Sequence, residues 1–141
     1  MNLNIDQGKL NYGKLLTIHS VSSDRAFIFS NRNGEFFNFE LKSVEVSAAL
    51  RVSTYTDDHG LTNFFKELTG FEKPWQGTRS WRSLEGEFEI HASCATLGQV
   101  TFEVNLQSYP GNWKVQAEIE TELGQLTQIA KNAEIFFNGK G

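Results

Sequence analysis

Side chains able to do chemistry are sparse in this sequence. Its histidines are His19, His59 and His91 and its one cysteine is Cys94. No His-x-x-x-His or Cys-x-x-Cys spacing joins them, as a metal-ligand set would require. His59 follows Asp57 and Asp58, a grouping that would suit a metal ion or acid–base work. A histidine at a helix start, beside capping carboxylates, accounts for it as well. Cys94 stands three residues after His91, and an odd spacing along a strand sends the two side chains to opposite faces. No Lys or Arg lies close in sequence to favour the thiolate. Gly77, Gly86 and Gly98 are isolated, so no phosphate-cradling loop is present, and Gly-x-Ser-x-Gly is absent. No catalytic residues, metal site or cofactor are expected, and the chain reads as a non-enzyme.

Two other features stand out. The segment Phe71–Arg82 holds Trp75 and Trp81 together with Arg79 and Arg82. These four could build a stacking pocket for a planar or anionic ligand. The competing reading is that both indoles plug a gap between a helix and a sheet edge. The second feature is acidic. Between Glu85 and Glu122 stand Glu85, Glu87, Glu89, Glu103, Glu118, Glu120 and Glu122, against Lys114 as the only Lys or Arg. Strand parity directs all of them away from the apolar positions. Tight hairpins near residues 96 and 110 would set Glu89, Glu103 and Glu118 side by side across three strands. Like charges in that arrangement oppose folding. A basic partner or a cation would relieve them; a purely solubilising face is the plain alternative. Glu87, Glu89, Glu103, Glu118 and Glu120 are the candidate partner-binding residues.

The elements that must position these groups follow from hydrophobic periodicity. Residues 15–21, 25–31 and 35–41 read as strands, the last two flanking Asn33-Gly34, which suits a type I′ turn. Val44, Val46, Ala48, Leu50 and Val52 alternate with polar residues, the mark of a half-buried strand. The period then changes: Leu61, Phe64, Phe65 and Leu68 form one helical stripe, with Asp57 and Asp58 placed to cap it and Gly70 to end it. Three strands follow at 84–94, 98–108 and 112–121. Their inward sets include Phe88, Ile90 and Ala92, then Phe102 and Val104, then Trp113, Val115 and Ile119. A last helix over 123–138 carries Leu126, Ile129, Ala133, Phe136 and Phe137, with Gly139 beyond it. The order β-β-β-β-α-β-β-β-α predicts an α+β fold: one curved antiparallel sheet of about seven strands with both helices on one face.

Length and composition agree with that fold. A chain of 141 residues fits a single domain spanning 1–141. Apolar residues make up 39%, and 12 of the 18 aromatics are Phe, too apolar for disorder. The net charge of −4 lacks the basic footprint of a nucleic-acid binder. No run approaches the roughly 18 apolar residues of a membrane span, and the first residues lack the pattern of a secretory signal. A lone cysteine implies no oxidising compartment, so the expected location is the cytoplasm. The sequence leaves the oligomeric state open.

From Leu61 to Phe137 the sequence resembles a bacterial family of uncharacterised proteins, domain-of-unknown-function family 6228. The resemblance rests on Phe64-Phe65-Lys66-Glu67-Leu68, Trp75-Gln76-Gly77-Thr78-Arg79-Ser80-Trp81 and Ser83-Leu84-Glu85-Gly86-Glu87. Leu97-Gly98-Gln99-Val100-Thr101, Trp113 and Gly124-Gln125-Leu126 extend it. It implies a shared fold and brings no catalytic residue with it. The functional expectation comes from size and charge: a protein-binding domain, of the immunity or antitoxin type, holding a basic protein on its acidic face. A small-ligand binder or weak enzyme built on the Trp75–Trp81 loop is the alternative.

Overall fold

The computed structural model describes residues 15–108 and 111–139. Four strands come first: β1 (Leu15–His19), β2 (Ala26–Asn33), β3 (Phe36–Lys42) and β4 (Ala48–Ser53). Helix α1 (Gly60–Leu68) separates them from β5 (Arg79–Arg82), β6 (Phe88–Cys94), β7 (Gln99–Gln107) and β8 (Lys114–Glu122). A 3-10 turn, Leu123–Gln125, leads into α2 (Leu126–Asn138). Among the described residues the fold is α+β, with two helices and eight antiparallel strands. No helix among the described residues is long and apolar enough to cross a membrane. The first residues, where a leader would be read, and Pro110 of the expected last hairpin lie outside the described residues.

The strands form two sheets, β1-β2-β3-β4 and β5-β6-β7-β8, and not the single seven-stranded sheet that the periodicity suggests. Each sheet is a meander of consecutive strands, closed by short connections. The extra strand, β5, is four residues long and reads Arg-Ser-Trp-Arg, too short and too charged to show a period. Between the sheets the ladder gives way to a seam. There Val21 N donates to Glu120 O (2.8 Å), Glu120 N donates to Ser20 Oγ (3.0 Å) and Arg25 Nε donates to Glu118 O (2.7 Å). One main-chain bond and two bonds to side chains thus stand where a ladder would have joined β1 to β8.

Local chemistry moves other boundaries. Val44 is 91% exposed and β4 begins only at Ala48, because the Ser43 hydroxyl folds residues 43–46 into a turn, accepting from Glu45 N and Val46 N. Residues 84–87 form a turn before β6, so that strand is shorter than its pattern. Trp113 precedes β8 and is 39% exposed, not inward. At the β2–β3 hairpin the register shifts between Ser30 and Asn33, and Asn33 pairs with Phe36. Gly34 has φ +60° while Asn33 and Glu35 keep negative values, so this is not the type I′ turn, which needs two consecutive positive angles.

Both sheets and both helices share one apolar core. Phe29 stands at its centre. Its ring meets Phe37 and Phe39 of β3, Phe65 of α1, Phe88 of β6 and Phe136 and Phe137 of α2, all at centroid distances of 5.1–6.4 Å. Leu61, Phe64, Phe65 and Leu68 are buried, as the helical stripe requires. Asp57 and Asp58 do not cap α1: no side-chain bond is made at its start, and both carboxylates accept bonds elsewhere.

Truncating a ring at this centre leaves a cavity that its many neighbours cannot all close. Phe29→Ala and Phe65→Ala should each cost roughly 3–5 kcal/mol of unfolding free energy in denaturant titrations. Losses below about 1 kcal/mol, the size of a surface change, would mean that the helix and the two sheets do not pack on this ring.

Candidate functional site

The tryptophan segment is dispersed by the strand it contains. Trp75 is 7% exposed and stacks on Phe71 (centroids 4.9 Å, interplanar angle 28°). The Arg79 guanidinium lies 5.1 Å over the same phenyl ring, and its Nη1 is 3.4 Å from Glu67 Oε2. Trp81 is 8% exposed and turns inward, donating from Nε1 to Asp57 Oδ2 at 3.0 Å. Arg82 takes the outer face, with Nε 3.0 Å from Glu89 Oε2. Arg79 and Arg82 are an odd spacing apart on β5 and so point to opposite faces. Among the described residues the four side chains share no pocket.

The Trp81–Asp57 bond explains the residue that opens α1. A Cβ on Gly60 would collide with Trp81 Nε1 and with the Asp57 carboxylate. The helix start, the turn before it and β5 are therefore locked through one indole. Nearby, Arg32 Nη1 donates to Thr54 Oγ1 (3.1 Å), and the guanidinium lies 5.7 Å from the Phe137 ring centroid. Burial pulls the Arg32 pKa below its ordinary value, and the Asp58 charge opposes that shift. The Thr54 hydroxyl in turn donates toward Asp58 Oδ1 and Glu35 O.

The outer face of the second sheet is uncovered by either helix and carries Glu89, Glu103, Glu118, Glu120 and Glu122. Register pairs Glu103 with Glu118 directly across β7 and β8. On the other side of Glu103 stands His91, not Glu89, which pairs with Asn105. The expected row of three glutamates is thus His91–Glu103–Glu118, with Glu89 one pleat away, because the β6–β7 connection sets a register two residues off the assumed one. Glu103 accepts from Asn105 Nδ2 (3.2 Å) and Gln116 Nε2 (2.8 Å). Glu118 and Glu122 are exposed, with no ion-pair partner among the described residues. Glu120 accepts from Ser22 at the seam.

Glu87 does something else. Its carboxylate accepts from Ser53 N (3.1 Å) and from Ser83 Oγ (2.6 Å), tying the end of β4 to the turn before β6. It is a brace between the sheets and not part of the open face. Toward the β8 start the face changes sign. A hollow of about 430 Å³ lined by Arg82, Glu89, Asn105, Gln107, Lys114 and Gln116 mixes cations with amides.

A family model described as a family of unknown function, DUF6228, matches residues 19–140. The chain belongs to this family. The match takes in β2, β3 and β4 as well as the stretch from α1 to α2, so the DUF6228 unit includes the second sheet and three of the four strands of the first. Comparison with curated proteins and with solved structures finds no match.

One juxtaposition in this DUF6228 chain escapes the sequence. Ser80 Oγ lies 2.6 Å from His91 Nδ1, and His91 Nε2 lies 3.7 Å from Glu89 Oε1. Ser80 could be placed opposite His91 only once β5 was recognised as a strand and its register with β6 known. The order hydroxyl–imidazole–carboxylate is that of an activated nucleophile. Here it lies on an open sheet face, and the amides of β6 and β7 are committed to ladders on both sides, leaving them no part in an oxyanion hole. Among the described residues no group of three or more His, Cys, Asp or Glu side chains could hold a metal ion.

Trp81 offers a test of the packing. Trp81→Phe keeps an aromatic ring but loses the bond to the Asp57 carboxylate and part of the buried indole, and should cost about 1–3 kcal/mol. Gly60→Ala should destabilise the fold through the same contact. Wild-type unfolding midpoints in both variants would show that the indole does not lock the helix start.

Proposed function

We propose that this DUF6228 chain is a non-enzymatic protein-binding domain that holds a basic partner on the outer face of its second sheet, in the manner of an immunity or antitoxin-type inhibitor. The observation that carries the reading is the register of β7 and β8, which sets Glu103 directly opposite Glu118. Two carboxylates so placed repel, and a fold gains nothing from that pairing. A lysine or arginine from a partner would turn the repulsion into two charge-assisted bonds. Glu122 and Glu120 continue the negative surface along β8, and complementary charge of this kind speeds encounter and excludes wrong partners.

Three of the candidate partner-binding glutamates support this reading. Glu103, Glu118 and Glu120 remain on the face, with Glu122 beside them. Glu89 is balanced by Arg82, and Glu87 belongs to the fold. The burial of Trp75 and Trp81 weighs against the alternative, a ligand pocket in their loop.

The double variant Glu103→Gln/Glu118→Gln removes the charges and keeps the side-chain lengths. It should be at least as stable as the parent at low salt, where screening is weakest. Glu89→Gln, which breaks an exposed pair, should cost no more than about 1 kcal/mol. Basic proteins captured from source-cell extract by the parent chain should bind the double variant about tenfold or more weakly, mainly through slower association. Unchanged binding and unchanged salt dependence would reduce the face to a solubilising surface.

A further inference from the structure

Strand β4 is an outer strand of the first sheet, and its outer edge, unpaired among the described residues, has a defined donor pattern. Thr54 N donates to Glu35 O at 2.6 Å. Even-numbered residues of β4 therefore turn their amides toward β3, and odd-numbered residues turn theirs away. Of the outward amides, that of Ser53 is closed by Glu87. Those of Ala49 and Arg51 meet no acceptor among the described residues. The β3–β4 register runs without a bulge from Phe36↔Ser53 to Leu41↔Ala48, and the strand contains no proline. Neither a proline nor a bulge blunts the edge at Ala49 and Arg51.

The two open positions are symmetric about Leu50. We propose that this edge joins two copies of the chain, paired antiparallel about a two-fold axis at Leu50. In that register Ala49 of each copy faces Arg51 of the other, and each such pair exchanges both of its N–H···O bonds. A register centred on Arg51 would oppose the two guanidinium groups and would need the Ser53 amide, which Glu87 already holds.

Charge fits the same occupant. Glu40 and Arg51 have no ion-pair partner among the described residues. Glu40 lies opposite Ala49 on β3. The second copy's Arg51 would stand on the other side of Ala49, two strand spacings or about 10 Å from Glu40 along the sheet. A long side chain spans that gap over an alanine. A hollow of about 350 Å³ lined by Ser30, Asn38, Glu40 and Ala49 lies on this path. Arg51 rests 4.1 Å over Phe36 in the single chain. Pairing exchanges that exposed contact for an ion pair, made twice by symmetry. Exposed apolar side chains flank the strand: Val44 and Val46 before it, Tyr55 after it. An antiparallel two-fold brings one copy's valines toward the other's tyrosine.

Sedimentation equilibrium of the full chain over a concentration series tests this. A short ladder with two ion pairs fits a weak dimer, with Kd roughly in the micromolar range. Glu40→Arg and Arg51→Glu should each weaken association about tenfold or more, and the double reversal should restore it. Circular dichroism checks that each variant is folded. Leu50→Cys in a Cys94→Ser background should give a disulfide-linked dimer on mild oxidation, since facing residues of a non-hydrogen-bonded pair bring their Cα atoms to about 4.5 Å. A chain that stays monomeric at ~100 µM, well above the dissociation constant expected for such an interface, overturns the proposal. So does a dimer that ignores both charge reversals. The partner-capture result of the other sheet does not bear on either outcome.

Discussion

The contact on which the rest of the molecule depends is the meeting of Phe29, Phe39 and Phe88. Phe29 and Phe39 face each other across β2 and β3 (centroids 5.1 Å), and Phe39 reaches Phe88 of β6 at 4.9 Å. No continuous ladder joins the sheets, so their relative position is held by these rings together with the bonds at the seam and the Glu87 brace. The helices enter on the same terms: α1 through Phe65 and α2 through Phe136 and Phe137, each meeting Phe29 edge-on or nearly so. Edge-to-face rings favour particular angles as well as burial, so the cluster orients its elements while it excludes water. The phenylalanine-rich composition thus has a structural meaning: one ring type, interlocked at the centre, replaces the ladder that a single sheet would have had.

The fold was largely legible wherever periodicity ran long enough. The stripe Leu61–Leu68, the alternations of β6, β7 and β8, and the final helix stand where their patterns put them except at their ends, where residues 84–87 turn before β6, Trp113 precedes β8 and Leu123–Gln125 form a 3-10 turn. The failures have local causes. Val44 and Val46 keep period two, yet the Ser43 hydroxyl captures their segment into a turn. Arg79–Arg82 shows no period at all, being four residues whose one buried side chain, Trp81, looks like a loop plug until its ladder to β6 is seen. The break into two sheets was not legible, because the seam is made by Ser20 and Arg25, polar residues in and beside a turn that any solvent-facing loop could contain.

The candidate site was legible in parity and illegible in register. Strand alternation correctly sends Glu89, Glu103, Glu118 and Glu120 to the outer face. What it could not supply is which residues stand abreast, since a two-residue offset keeps every face and changes every neighbour. That offset put His91 where Glu89 was expected, while the separate β5–β6 register set it opposite Ser80. Tertiary contacts took other acids out of the surface altogether. Asp57 satisfies an indole, Asp58 and Glu87 receive hydroxyls, and Glu87 also closes a backbone amide; nothing in a charge count separates such carboxylates from free ones.

The same carboxylates explain how the two sheets come to serve different surfaces. Glu87 closes the outward amide of Ser53 and holds β4 against the turn before β6. At the opposite margin, Glu120 offers its carbonyl to Val21 and its carboxylate to Ser22. One acid at each margin thus fastens sheet to sheet, and both fastenings are hydrogen bonds to neutral groups rather than ion pairs. The fold therefore spends little of its positive charge on its acids. Arg82 and Arg79 each answer one glutamate, while Glu103, Glu118 and Glu122 are left with amides or water. A surface stays negative here because the acids that hold the structure were satisfied by hydroxyls and amides, and because register then placed two of the remaining carboxylates face to face.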